Sequence, residues 1–270
     1  MSRFYFSFIV LTVLFATIFT SCGKDDTSIQ LLETISYNGK LRQKFEYDKQ
    51  HRITKIIHYS YHTEDDKIVC TQIFDYDRDG DLISLYFDLT ENPHRSQLIS
   101  ITKPVENTIT LQNEMNIKII EINHQGLPDK YEGYYQYFDG NGYVMHSTPM
   151  TIEYSDERFE ITMAIATAGT IIPPCVPPVA ISTFAYGNKK PPLYYCKTQK
   201  WALFPEYSHL QYNILTSTNT RMEGCAFEET TTYTSNYTYT YDNAGFPMTM
   251  TIASDNGYER GIETYTYQKK

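Results

Sequence analysis

The chain has 270 residues, 32 acidic against 23 basic, with 25 tyrosines and a single tryptophan. A formal charge of −9 and a pI near 5.3 argue against a nucleic-acid partner, which calls for a basic footprint, and a mean hydropathy of −0.44 argues against a bundle of membrane helices. With 41% hydrophobic and 15% aromatic residues the chain can bury a core, and its bias toward tyrosine and threonine suits pleated, half-buried strands.

The first segment departs from the rest. After Arg3, residues Phe4 to Thr20 carry no charge. A charged start, an apolar run and then small residues is the order of an export signal. Thr20-Ser21-Cys22-Gly23 resembles a bacterial lipobox, with Phe19 where that motif usually has leucine. The resemblance implies that residues 1–21 are removed as a signal peptide and that Cys22 is acylated. Lys24-Asp25-Asp26 resembles the export signal that follows the cysteine in Bacteroidetes surface lipoproteins, which implies an outer-membrane protein facing the cell exterior. The alternative is an uncleaved anchor helix. On the lipoprotein reading several acyl chains hold the membrane, at about 0.8 kcal/mol per buried methylene. The acidic body does not bind anionic lipid by itself, so the anchor is the only membrane contact expected. Residues 22–30 then form the lipidated cysteine and its polar tether, and 31–270 a single β domain.

Beyond the tether, four segments share one spacing: Phe45-x-Tyr47-Asp48, Phe74-x-Tyr76-Asp77, Ile120-x-Ile122-Asn123 and Tyr239-x-Tyr241-Asp242. The first and third residues lie on one strand face. The Asp or Asn opens a type I turn, its side chain accepting the amide two residues on. Gly80, Gly126 and Gly245 follow three positions later and suit the left-handed conformation that leads into a bulge. His51 stands where the first copy needs that glycine, so this turn is expected to be strained or of another type. Antiparallel hairpins are therefore predicted over 41–59, 74–90, 117–131 and 237–254. Strands at 152–154 and 158–163 flank a short turn, and 139–142 is a further turn between aromatic stretches. Glu263 to Tyr267 alternates as a closing strand.

Residues 167–207 differ in texture. Pro173-Pro174-Cys175-Val176-Pro177-Pro178 cannot form a central strand, because consecutive prolines remove ladder donors. Gly187 to Pro192 is a second break, and 193–202 reads as one short helix. The predicted fold is all-β: an antiparallel meander of hairpins, a curled sheet tending to a barrel, with one long Pro-rich excursion. Tyr-x-Tyr-Asp-x-x-Gly resembles the YD repeat of Rhs-type proteins. The leader, these hairpins and Tyr186-Gly187-Asn188-Lys189-Lys190-Pro191 together resemble a Bacteroidetes lipoprotein family of unknown function with a porin-like fold, although Pro191-Pro192 stands where Asn-Pro is expected. The resemblance implies a fold and no activity.

The chemistry-bearing residues form no familiar constellation. If Cys22 is acylated, Cys70, Cys175, Cys196 and Cys225 remain, which allows three pairings in an oxidising compartment. A bridge between Cys175 and Cys196 would close a loop of about 20 residues and contribute roughly 3 kcal/mol; buried free thiols are the alternative. His58 and His62 share a strand face but stand roughly 13 Å apart, too far for one metal. Asp75-Tyr76-Asp77-Arg78-Asp79-Gly80 mimics half a calcium loop, yet Tyr86 occupies the position of the bidentate glutamate. No nucleophile elbow, zinc-protease helix, phosphate loop or dinucleotide fingerprint occurs. Neither catalytic residues nor metal or cofactor ligands are assigned. Tyrosines alternating through strands read as sheet-packing residues before glycan platforms, and Trp201 is the sole tryptophan. The expected function is a surface-exposed, non-enzymatic binding or scaffold module of unknown ligand, with a glycan and a protein as the candidates. A carbohydrate-binding accessory lipoprotein of a glycan-uptake system, and a hydrolase whose residues converge only in the fold, are the alternatives.

Overall fold

The computed structural model of the chain describes residues 29–60, 67–90, 96–105, 107–112, 117–133, 135–138, 144–147, 150–155, 158–164, 179–203, 208–223, 229–257 and 260–270. In chain order the strands are β1 (Gln30–Tyr37), β2 (Lys40–Tyr47), β3 (Ile53–Tyr59), β4 (Ile68–Tyr76), β5 (Leu82–Asp88), β6 (Gln97–Val105), β7 (Thr108–Gln112), β8 (Ile117–Ile122) and β9 (Pro128–Gly133). They continue as β10 (Tyr135–Phe138), β11 (Val144–Ser147), β12 (Met150–Ser155), β13 (Arg158–Ala164), β14 (Val179–Gly187), β15 (Asn213–Glu223), β16 (Glu229–Tyr241), β17 (Pro247–Ser254) and β18 (Arg260–Lys269). Two short helices, α1 (Lys200–Leu203) and α2 (Ser208–Gln211), lie between β14 and β15.

Sixteen strands close into one antiparallel barrel, and β10 with β11 form a separate two-stranded ribbon between β9 and β12. The predicted meander is thus observed, and it closes completely. The alternating strand at the end of the chain makes the closure, pairing Gln30–Tyr37 with Glu263–Lys269. Closure leaves no sheet edge among the barrel strands, which removes the usual template for aggregation. At the seam, a Cβ on Gly261 would lie 2.0 Å from the Tyr37 hydroxyl, so the missing side chain is what admits that ring.

The four repeated turns are near copies. Asp48, Asp77, Asn123 and Asp242 each accept, through Oδ1, the amides two and four residues on, at 2.8 to 3.1 Å. Each turn is also closed by backbone bonds from i to i+4 and from i+3 back to i, as in Asp77 N–H to the Asp81 carbonyl at 2.9 Å and Gly80 N–H to the Asp77 carbonyl at 3.2 Å. The residue at i+3 is left-handed in every copy: φ is +94° at Gly80, +73° at Gly126, +83° at Gly245 and +66° at His51. His51 therefore keeps the same turn and bears the steric cost that the glycines avoid.

One expectation is corrected. Val179–Gly187 is a full barrel strand, paired along β13 and β15. The excursion from the sheet runs over 188–212. The proline-rich stretch before β14 and the Gly187 break after it masked an ordinary strand alternation, in which Ser182, Phe184 and Tyr186 share a face. The helix expected over 193–202 shrinks to the four residues of α1. Pro191 and Pro192 offer no amide hydrogens, and the chain instead bends through successive turns, with Tyr194 N–H to the Pro191 carbonyl at 3.1 Å and Cys196 N–H to the Leu193 carbonyl at 3.0 Å. Pro173 to Pro178 and the 139–142 turn lie outside the described residues.

Strand direction sorts the barrel into two ends. One end carries the four repeated turns, the excursion after β14, and the first and last described residues, since Lys270 N–H bonds the Ile29 carbonyl at 3.0 Å. The other end carries the 38–39 and 255–257 turns. Between them the inward side chains form layers. Aromatic residues such as Tyr47, Tyr76, Tyr154, Tyr186 and Tyr267 lie toward the turn end, and Ile35, Phe45, Ile56, Phe74, Ile120 and Tyr265 fill the middle. Toward the far end the layer changes to Gln43, His58, Gln72, Ser182, Ser217, Asn219, Ser235 and Ser254.

Candidate functional site

The 188–212 excursion folds into the turn end of the barrel as a plug. Leu193, Trp201, Leu203 and Leu210 are at most 7% exposed and join the same apolar cluster as the strands. Tyr212 packs its ring 5.1 Å from Phe159 and 4.9 Å from Tyr186. Polar contacts then fix the plug to the repeated turns. Lys197 N–H bonds the His51 carbonyl at 3.0 Å, Gln199 Nε2 the Gly80 carbonyl at 3.1 Å, and Lys190 Nζ the Ala244 carbonyl at 3.0 Å. Three separate hairpins thus hold the same insert.

At the plug's centre Thr198 completes a closed hydrogen-bond circuit. Ile53 N–H donates to Thr198 Oγ1 at 2.7 Å, Tyr76 Oη donates to the Ile53 carbonyl at 2.8 Å, and the two hydroxyls meet at 3.0 Å. Tyr76 is one of three tyrosines with this role. Tyr154 and Tyr267 likewise donate to the carbonyls of Pro128 and Pro247, each at 2.8 Å. Ile53, Pro128 and Pro247 each open the strand that follows a repeated turn, so each clasp locks a hairpin to its neighbour. Burial pushes all three phenols up, so they remain neutral donors. Arg52 joins the first two hairpins: it pairs with Asp48 at 2.7 Å and its guanidinium lies 4.3 Å from the centre of the Tyr76 ring. Burial raises the Asp48 carboxyl, but the hydrogen bonds from Arg52 outweigh it and hold the group below its ordinary value.

The far interior is chemically different. Gln72, Ser217 and Ser235 are at most 2% exposed and Ser254 is 7% exposed. Ser217 Oγ meets Tyr237 Oη at 3.1 Å, Ser182 Oγ donates to Asn219 Oδ1 at 2.7 Å, and Gln43 Nε2 lies 3.5 Å from His58 Nδ1. Burial pushes His58 down to about 4, against a smaller opposing pull from its Gln72 hydrogen bond, which keeps the imidazole neutral.

The sequence-singled residues are dispersed by the fold. Cys22, Lys24, Asp25, Asp26, His62, Cys175 and Cys225 lie outside the described residues. Cys196 is a free thiol in the plug, where burial pushes it up and opposes a thiolate nucleophile. Cys70, on β4, is buried as well. The acidic run at 75–80 is spent within its hairpin: Asp77 holds the Asp79 and Asp81 amides, and Asp75 accepts from Ser84 Oγ at 2.8 Å. Among the described residues no group of three or more His, Cys, Asp or Glu side chains is arranged to hold a metal. What sequence reasoning missed was the plug's internal logic. Thr198 and Lys190 gave no signal of their own; a lone tryptophan inside a tyrosine-rich break was the available hint.

No family and no curated protein matches the chain. Solved structures similar to it include a porin-like protein from Bacteroides uniformis, 14% identical with a TM-score of 0.34, covering 88% of this chain and 96% of that one. A porin-like protein from Bacteroides vulgatus is 12% identical with a TM-score of 0.36, covering 81% of this chain and 99% of that one. A likeness at this level carries nothing about function.

Proposed function

We propose that the chain is a lipid-anchored outer-membrane lipoprotein whose closed, plugged barrel stands in water and serves as a non-enzymatic binding or scaffold module. The observation that carries this reading is the outer face. A barrel that spans lipid needs an outward apolar band. Here the outward rows of β15–β18 and β1 are hydroxylated, with cross-strand contacts Thr34 to Thr266 and Thr240 to Thr249 at 2.7 Å, and Thr220 to Thr232 at 3.2 Å. Exposed large apolar residues on the described strands, such as Ile83, Leu98, Leu215 and Ile262, are scattered among polar neighbours. The interior supports the same reading from inside: side chains of 0 or 1% exposure on β3, β8 and β18 fill the middle layer, where a sixteen-stranded porin keeps a water channel.

With no apolar belt among the described residues, attachment to the membrane falls to acylation of Cys22, and Lys24-Asp25-Asp26 supplies the export signal. The chain leaves the tether at the turn end, which presents the opposite end to the medium. The test is mutational. Cys22→Ala should abolish incorporation of a labelled fatty acid and release or stall the protein. Alanines at 24–26 should leave it acylated but shielded from protease added to intact cells. Unchanged fatty-acid labelling in the first variant would contradict the anchor, and unchanged protease access in the second would contradict surface display.

One observation favours a carbohydrate ligand as a second reading: the far interior is lined by amides and hydroxyls with one carboxylate, Glu263, which accepts from Tyr265 Oη at 2.7 Å, and all of these are groups that hydrogen-bond sugars. A glycan array probed with the mature domain tests it, and absence of binding to every glycan would leave the scaffold reading.

A further inference from the structure

The net charge of the whole chain conceals its distribution. The 188–212 plug contains Lys189, Lys190, Lys197 and Lys200 against the single acid Glu206, in a chain of formal charge −9. Lys189, Lys197 and Lys200 are exposed, as are Lys269 and Lys270 at the end of β18. One exposed ring, Tyr194, stands among them, backed by partly or fully buried rings. Tyr194 is 52% exposed and packs edge-on to Tyr195, with ring centres 5.0 Å apart. Lys190 Nζ stands 4.7 Å from the centre of Phe246, and Phe246 lies 5.3 Å from Tyr267 on the strand that ends in Lys269. Asp242 belongs to the same sector, but its Oδ1 is already taken by the Ala244 and Phe246 amides. The acids Asp77 and Asp79 sit in the β4–β5 turn, which Gln199 of the plug contacts through the Gly80 carbonyl, and Arg78 stands between them, so this turn borders the lysine sector with one compensating cation.

The place where the chain leaves the barrel gives this surface a partner. Ile29 is hydrogen-bonded to Lys270, and six residues, Gly23 to Ser28, separate it from Cys22. Six residues reach at most about 20 Å. If Cys22 is acylated, as proposed above, Ile29 and the adjoining end of β18 with Lys269 and Lys270 are held near that distance from the lipid headgroups, and the plug end faces them, while the opposite rim stands a barrel's length farther away. The tether itself, with Lys24, Asp25 and Asp26, is net acidic and supplies no attraction. Lysines near an anionic surface are drawn to it within a Debye length, and tyrosine is an amphipathic ring suited to the headgroup layer.

We infer that the plug end of the barrel is a membrane-facing surface that docks on anionic phospholipid headgroups and orients the protein with its opposite end outward. This revises the expectation that the anchor is the sole membrane contact. It rests on the lipoprotein reading and goes beyond it, because an acylated barrel with no docking surface would tumble on its tether.

Lysine acylation footprinting by mass spectrometry tests it, using the full acylated protein on vesicles of phosphatidylcholine alone or mixed with phosphatidylglycerol. The expected result is a fall of roughly threefold or more in the reactivity of Lys189, Lys197 and Lys200 on the anionic vesicles. Lys40 and Lys67, at the opposite end, should be unchanged. Salt near 1 M, where the Debye length is about 3 Å, should erase the difference. The double variant Lys189→Glu, Lys200→Glu changes two exposed side chains and should lose the protection of Lys197 while still floating with the vesicles. Equal reactivity on both vesicle types, or protection of Lys40 and Lys67 instead, would overturn the docking surface and leave the anchor standing. Failure to float with either vesicle would overturn the lipoprotein reading and the docking surface together.

Discussion

At the turn end of the barrel, four hairpins repeat one hydrogen-bond pattern, three tyrosine hydroxyls clasp strand-opening carbonyls, and the plug ties three hairpins to itself. At the far end the inward side chains are amides, hydroxyls, an imidazole and the Glu263 carboxylate, and they bond mainly to one another and to neighbouring tyrosines. The contrast separates two ways of filling a wide barrel. The turn end buries apolar and aromatic mass, which is non-directional and tolerant of exact placement. The far end buries polar groups, each of which needs its partner and is costly if it loses one. Stability should therefore concentrate at the plug, and sensitivity to solution conditions at the far end.

The largest test of that division is Trp201→Ala. Trp201 is 3% exposed at the centre of the plug, and emptying its site should cost about 3–5 kcal/mol in urea unfolding followed by circular dichroism. A loss under about 1 kcal/mol would show that the plug is an ornament on an independently stable barrel.

Acid should act on the other end. The His58 imidazole titrates near 6.5 when unfolded and near 4 when folded, so between these values the unfolded chain binds more protons. Its contribution is intact above about pH 6.5 and lost as the pH falls toward 4. Full loss would reach about 3 kcal/mol, and less for a ring that retains some exposure. His58→Gln should flatten the stability profile over that window; an unchanged slope would place the acid sensitivity elsewhere.

Thr198→Val keeps the shape of the plug but leaves the Ile53 amide without its acceptor. The expected cost is about 1–3 kcal/mol, together with faster hydrogen exchange at Ile53. Unaltered exchange there would mean that the circuit with Tyr76 is not what holds β3 to the plug. The smallest effect has the opposite sign. His51→Gly relieves a left-handed side chain at φ +66° and should stabilise by up to about 1 kcal/mol, less the added freedom of the unfolded chain.

The same contrast explains what could be read from the sequence. The turn code is local: Asp77 and Gly80 are three residues apart, so the hairpin is legible before any tertiary contact exists. The i+4 amide bond and the tyrosine clasp were not read, because Tyr154 and Pro128 meet only when β12 lies beside β9. β14 was hidden by its proline-rich neighbour, although Phe184 and Tyr186 alternate as a strand should. The far lining was illegible for a different reason. Ser217, Ser235 and Ser254 are small polar residues in threonine-rich strands, and which face turns inward is settled only by the register of β15, β16 and β17. The rim lysines were visible individually, but their gathering beside the chain's exit depends on closure between β1 and β18.

The central claim is that the barrel faces water on the outside and is filled within, so that only its anchor and one rim meet the membrane. The most direct test is light scattering on residues 23–270 purified without detergent. The expected result is a soluble single chain with a strand-rich circular dichroism spectrum. A chain that stays monomeric only in detergent would mean that the hydroxylated outer face is not its water-facing surface, and would contradict the account.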